Sequence, residues 1–206
     1  MPLNNYYWYF VSALSNQFCD SVIKFASQKQ KLIATTGQEN KDINEINKKK
    51  LFKTRKSEIV WLDEKWIYKE IHPFVHLANK NANWNFQWDS SEQCQFTIYK
   101  KTQHYHWHVD QFDNPMNTPN NLSSHGKIRK LSVTISLSDP KDYKGGELQF
   151  DFRNKDNGKP NIKTATEILP RGSICVFPSF VWHRVKPVTK GTRYSLVMWN
   201  LGNPYI

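Results

Sequence analysis

The sequence predicts a mainly β fold with N-terminal helices, an α+β chain whose strands fold into a sandwich or jelly roll. Three observations carry this: two stretches of helical periodicity in the first 80 residues, eight short strand-like runs after Trp84, and turn residues between those runs. At 206 residues, 38% hydrophobic and 14% aromatic, the chain suits one domain with a sizeable core. We read 1–206 as that domain, with 1–92 as helical and irregular support and 93–206 as the jelly-roll core.

In order along the chain, Ser15 can cap a helix in which Phe18, Cys19, Val22, Ile23, Phe25 and Ala26 follow helical spacing to about residue 30. Residues 31–57 show no periodicity. A second helix is expected over 63–79, with Trp66, Ile67, Glu70, Ile71, Phe74 and Val75 on one side and Pro73 kinking or dividing it. Strands are expected at 93–100, 104–110, 129–138, 147–152, 166–169, 173–177, 182–185 and 194–200. Asp139-Pro140, Gly145-Gly146, Asn157-Gly158, Pro170-Arg-Gly172 and Lys190-Gly191 punctuate them. Residues 112–127 are polar and irregular, and since they directly follow Asp110 they suit either a lid or a plain connection.

Much of the net charge of +11 sits in 41–56, where Lys48, Lys49, Lys50, Lys53, Arg55 and Lys56 cluster. Such a run fits a solvated loop, with nucleic-acid binding the weaker alternative. Three widely spaced cysteines, Cys19, Cys94 and Cys175, give neither a disulfide framework nor a metal knuckle and read as buried small hydrophobes. The N-terminus lacks a signal pattern and no run approaches the roughly 18 apolar residues of a membrane span, so a soluble, cytoplasmic protein is expected.

The chemistry is concentrated in His104-Tyr-His-Trp-His-Val-Asp110. In an extended chain every second residue returns to one face, about 6 to 7 Å apart, so neighbouring members of the set His104, His106, His108 and Asp110 can share an ion. Parity alone leaves three overlapping pairs. A third ligand is available in His183, within the apolar and aromatic run 178–185. Two histidines and one carboxylate with open positions characterise non-heme Fe(II) oxygenases, whereas zinc sites close tetrahedrally with Cys or His.

From about Gln93 to Trp199 the chain resembles the prolyl and lysyl hydroxylase-like (prolyl 4-hydroxylase type) Fe(II)/2-oxoglutarate-dependent dioxygenases, including their small bacterial and viral members. Tyr99, Thr102, Tyr105, His108 and Asp110 resemble a Tyr-x-x-Gly-x-x-Tyr-x-x-His-x-Asp pattern, which selects His108 over His104 and His106. The runs 129–138, 143–148 and 169–173 follow, and then His183 with Arg193 ten residues later. Thr102 departs from the pattern, standing where the family usually has glycine.

The resemblance implies a double-stranded β-helix (jelly roll, cupin-like). It implies Fe(II) held by His108, Asp110 and His183, with 2-oxoglutarate and O2 as cosubstrates and ascorbate in support. A turn over 187–191 would bring the strand of Arg193 beside that of His183, where its guanidinium pairs with the distal 2-oxoglutarate carboxylate. Tyr99 is the companion donor. Tyr105, Trp182 and Trp199 are candidate walls of a substrate pocket, and His104, His106 and His125 are expected at the surface or behind the ligands. The activity implied is hydroxylation of an unactivated carbon, first a prolyl residue of a peptide or protein. The alternatives are free amino-acid hydroxylation, oxidative demethylation of nucleic acid, and a non-catalytic jelly-roll binding module. No basic residue follows Arg193, which disfavours demethylation; retention of all four site residues disfavours the inactive module.

Overall fold

The computed structural model describes residues 3–36, 45–156 and 158–205. The first half runs β1 (Trp8–Phe10), α1 (Asn16–Ser27), β2 (Leu32–Ile33), α2 (Glu45–Thr54), β3 (Arg55–Lys56), β4 (Glu58–Leu62), α3 (Lys65–Asn81) and β5 (Ser90–Ser91). The second half runs β6 (Cys94–Tyr99), β7 (His104–His108), β8 (Ile128–Ser136), β9 (Tyr143–Gly145), β10 (Leu148–Asp156) and β11 (Lys159–Thr164). It ends with β12 (Ile174–Pro178), β13 (Trp182–Val185), β14 (Val188–Gly191) and β15 (Arg193–Gly202). Among the described residues no helix is long and apolar enough to cross a membrane.

Two antiparallel sheets face each other as a double-stranded β-helix. Among the described residues, the larger has the order β1-β12-β8-β15-β6-β4-β2, with β5 also on β15, and the smaller has the order β11-β10-β13-β7-β3. The alternation of side chains across a strand divides the large sheet's two faces. Phe96 and Ile98 of β6, Val133 and Ile135 of β8, and Leu196 and Met198 of β15 pack outward against Phe18 and Val22 of α1 and Ile67, Ile71 and Val75 of α3. The intervening residues, among them Gln95, Thr97, Thr134, Arg193 and Ser195, turn inward to the cavity between the sheets. One period-2 pattern thus builds both the core and the wall of the site.

Ser15 caps α1 as expected, its Oγ accepting from the Phe18 amide at 3.1 Å. Pro73 neither divides nor ends α3, which continues to Asn81. The carbonyl that loses its partner belongs to Lys69, on the exposed side, where water can take the bond.

Within 31–57, where the sequence shows no period, the described residues form β2, α2 and β3; α2 has few apolar residues and carries none. Two expectations need correcting. Residues 166–169 are not a strand but a 3-10 turn over Thr166–Ile168, in which the Leu169 amide bonds back to Thr166 O at 3.2 Å. The segment before residue 93 is more than helical support, since β4 pairs with β6, β1 with β12 and β3 with β7.

Candidate active site

The inner faces of the sheets line a cavity that gathers His108, Asp110, His183, Arg193, Tyr99 and Trp199. One ligating atom from each of His108, Asp110 and His183 lies within 4.8 Å of the others. Neighbouring strands set this convergence: β13 pairs with β7 so that His183 stands opposite His108. Asp110 lies just past the end of β7, held by its amide on Ser179 O at 2.9 Å.

Strict alternation does not hold along β7. A register shift between β7 and β13 turns both Tyr105 and His108 into the cavity, while His106 is exposed. His104 lies against α2, its Nε2 3.3 Å from Lys53 O. His125 stays outside the cavity and accepts from the Thr118 amide at 3.2 Å.

The two ligand imidazoles, His183 buried and His108 half-buried, are oriented through their backs. His108 Nδ1 meets His106 O at 2.7 Å and His183 Nδ1 meets Val181 O at 2.9 Å. Since a carbonyl accepts, each Nδ1 carries the proton and each Nε2 presents a lone pair. Those Nε2 atoms stand 3.7 and 3.5 Å from the two Asp110 oxygens, too far for good hydrogen bonds and convergent on the space between. Burial, reinforced by His183, pulls the His108 pKa down to about 3, which keeps the ring neutral. For Asp110 burial acts upward, but His183, His108 and Arg129 outweigh it and bring the carboxyl down to about 2. Two imidazole nitrogens and one ionised carboxylate converging on one side of the cavity are a donor set that fits Fe(II).

Arg193 is 4% exposed and donates to Ser195 Oγ at 3.3 Å, with no carboxylate in ion-pair range among the described residues. It lies opposite Tyr99 in the β15–β6 ladder, its guanidinium 5.6 Å from the Tyr99 ring. The expected placement of its strand beside that of His183 is corrected: β13 belongs to the small sheet and β15 to the large one, so the residues face each other across the cavity. Gly146, at φ +71°, leaves room for this side chain, because a Cβ there would lie 2.9 Å from Arg193 Cδ.

Of the aromatic residues, Tyr105 stacks on His108 with centroids 3.5 Å apart, so it braces a ligand as well as lining the cavity. Trp199 lines the cavity, with its indole N–H lacking a partner among the described residues and Arg129 3.9 Å over its ring. Trp182 is corrected: its parity is opposite to that of His183, and it lies on the outer face of the small sheet with Arg153 4.8 Å above it. Thr102 does adopt the glycine-like backbone of its motif position, at φ +70°.

Two residues carry more of the site than sequence reasoning assigned. Arg129 holds Glu92 through Nε at 2.6 Å and Nη2 at 2.7 Å, and its Nη1 donates to Asp110 O at 3.3 Å, steadying the ligand's backbone. Arg55, read as one charge in a solvated cluster, is 5% exposed and lines the cavity. The apolar run Ile59–Leu62 marks the neighbouring strand β4, but Arg55 lies in the separate two-residue strand β3 of the other sheet, which no local pattern announces.

A profile of the 2OG-Fe(II) oxygenase superfamily matches residues 94–200. A PKHD-type hydroxylase of Synechococcus sp. (strain CC9902) is 40% identical over 95 residues, which are 46% of this chain and 35% of that protein. The chain therefore spans about a third of this relative's length. Among solved structures, the viral collagen prolyl hydroxylase of Paramecium bursaria Chlorella virus-1, in its 2OG complex, superposes with a TM-score of 0.64 at 19% identity, covering 97% of each chain. A Pseudomonas putida prolyl-4-hydroxylase gives 0.65 at 17% identity, covering 98% of this chain and 95% of that one. At those identities the structures speak for the fold; with more than half of the sequence matched by the profile, the chain belongs to the 2OG-Fe(II) oxygenase superfamily.

Proposed function

We propose that the chain is an Fe(II)- and 2-oxoglutarate-dependent dioxygenase that hydroxylates an unactivated carbon in a prolyl residue of a peptide or protein. The observation that carries the reading is the convergence of His108, Asp110 and His183 in a cavity that also holds the carboxylate-free guanidinium of Arg193. The PKHD-type name of the sequence relatives and the prolyl hydroxylase names of the fold neighbours support the prolyl substrate.

His108, Asp110 and His183 would hold the iron, which when bound supplies the oxidising chemistry that converts 2-oxoglutarate and O2 to succinate and CO2 and inserts a hydroxyl. Arg193 binds and orients the distal carboxylate of 2-oxoglutarate through a planar fork suited to it. Tyr99 remains a neutral donor beside it, since burial raises its pKa against the pull of Arg55 and Arg193. Leu148, Phe177 and Val185 give the cavity apolar walls that exclude water.

The test is succinate release from 2-oxoglutarate when anaerobically Fe(II)-loaded protein meets oxygen, with ascorbate present and with or without proline-containing peptides. Peptide-stimulated turnover is expected, and no turnover under any condition would overturn the reading. His183→Ala should abolish Mn(II) binding followed by electron paramagnetic resonance. Arg193→Ala should keep the metal and weaken 2-oxoglutarate.

A further inference from the structure

The cavity contains a second guanidinium that the dioxygenase reading leaves without a ligand. Arg55 is 5% exposed, and no carboxylate lies within ion-pair distance of it among the described residues. Its bonds go to neutral groups: Nε to Ser57 Oγ at 3.3 Å, Nη1 to Thr35 O at 3.1 Å and Nη2 to Gln95 Oε1 at 2.5 Å. A guanidinium has five N–H groups, so one on each Nη remains unused and available to an acceptor such as a carboxylate. Burying a cation with neutral partners alone is costly, and a cation kept this way in a ligand cavity is poised for an anion that arrives with the ligand.

Arg55 and Arg193 reach the cavity from opposite sheets: Arg55 from β3, which pairs with β7, and Arg193 from β15, where it pairs with Tyr99. The Arg55 guanidinium is bonded to Gln95, which pairs with Val197. Arg55 also stacks on Tyr105, 4.4 Å from its ring, and Tyr105 covers His108, so the cation stands on the ligand-bearing side of the cavity.

We propose that Arg55 is a specificity-determining residue that selects substrates carrying a carboxylate close to the carbon to be hydroxylated, an acidic peptide in the first instance. The proposal rests on the dioxygenase reading for the identity of the ligand at Arg193. It gives the cavity two anion subsites, Arg193 for the cosubstrate and Arg55 for the substrate.

The experiment is a titration of the full chain, with Mn(II) and 2-oxoglutarate under argon, against proline-containing peptides that differ only by Glu or Gln at positions flanking the proline. Intrinsic tryptophan fluorescence is the readout, and 2-oxoglutarate affinity is measured separately. The wild type should prefer at least one Glu peptide over its Gln twin by about tenfold, the factor that one charge-assisted hydrogen bond supplies. That ratio should fall to about one in Arg55→Gln and recover in part in Arg55→Lys, which keeps the charge but not the fork. Equal loss of both peptides in Arg55→Gln, with the ratio intact, would make Arg55 a mere support of Tyr105 and overturn the proposal. So would a wild type indifferent to charge, or an Arg55→Gln variant that loses 2-oxoglutarate as Arg193→Gln does. Discrimination without 2-oxoglutarate binding would keep the anion subsite and sink the dioxygenase; 2-oxoglutarate binding without discrimination would do the reverse.

Discussion

Gly146→Ala should weaken 2-oxoglutarate although residue 146 touches no ligand. Two effects separate at this position. Gly146 sits at φ +71°, where an L side chain costs about 1 to 2 kcal/mol, partly offset by about 0.4 to 1 kcal/mol from a stiffer unfolded chain. The new methyl would also stand 2.9 Å from both Arg193 Cδ and Val188 Cγ2, so the arginine side chain must move. A guanidinium displaced from one charge-assisted bond forfeits about 1.5 to 3 kcal/mol, roughly a 10- to 100-fold loss of affinity. Gly158→Ala is the control, because Gly158 has φ +79° and open space around its Cβ position. Calorimetric titration of the Mn(II)-loaded proteins should show weak 2-oxoglutarate binding only for Gly146→Ala. Both variants should melt lower, by about 2 to 4 °C per kcal/mol for a domain of this size. Equal 2-oxoglutarate affinity in the two variants would refute the placement of Arg193 as the anchor.

Thr102→Gly should raise the melting temperature by about 2 to 4 °C, since it relieves a β-branched residue at φ +70° worth about 1 kcal/mol net. Arg129→Met should cost about 2 to 3 kcal/mol in denaturant unfolding, below the usual 3 to 5 for a broken buried pair because the Glu92 side chain is 21% exposed. The same variant should loosen Mn(II), because Asp110 O loses its donor. The metal-free protein should lose stability as pH falls from about 6.5 toward 3. In that window the unfolded chain protonates a histidine that the folded chain keeps neutral at His108, whose pKa is about 3, and from about 4 to 2 the depressed Asp110 adds to the loss. A flat urea-melt profile between pH 7 and pH 4 would contradict this.

The sequence by itself determined the elements whose chemistry is local. The Ser15 cap, the two long helices, the alternating strands from residue 94 onward and the His-x-Asp run with a distant histidine and arginine all follow from short-range periodicity and spacing. The resemblance of those spacings to a known family then picked His108 from three histidines of equal parity. Only the tertiary structure decided which side chains reach the cavity. The shift between β7 and β13 breaks the two-residue period, so Tyr105 and His108 point the same way. Trp182 obeys that period and for that reason faces out. His183 and Arg193, ten residues apart, belong to opposite sheets, a placement that long-range pairing sets and no local pattern encodes. Arg55 shows the difference most directly. In sequence it is one more cation in a lysine-rich stretch, and its burial beside Gln95 exists because β3 joins β7. Periodicity reports which face of an element is apolar; what a polar residue faces depends on the partner strand, and that partner is chosen by the whole fold.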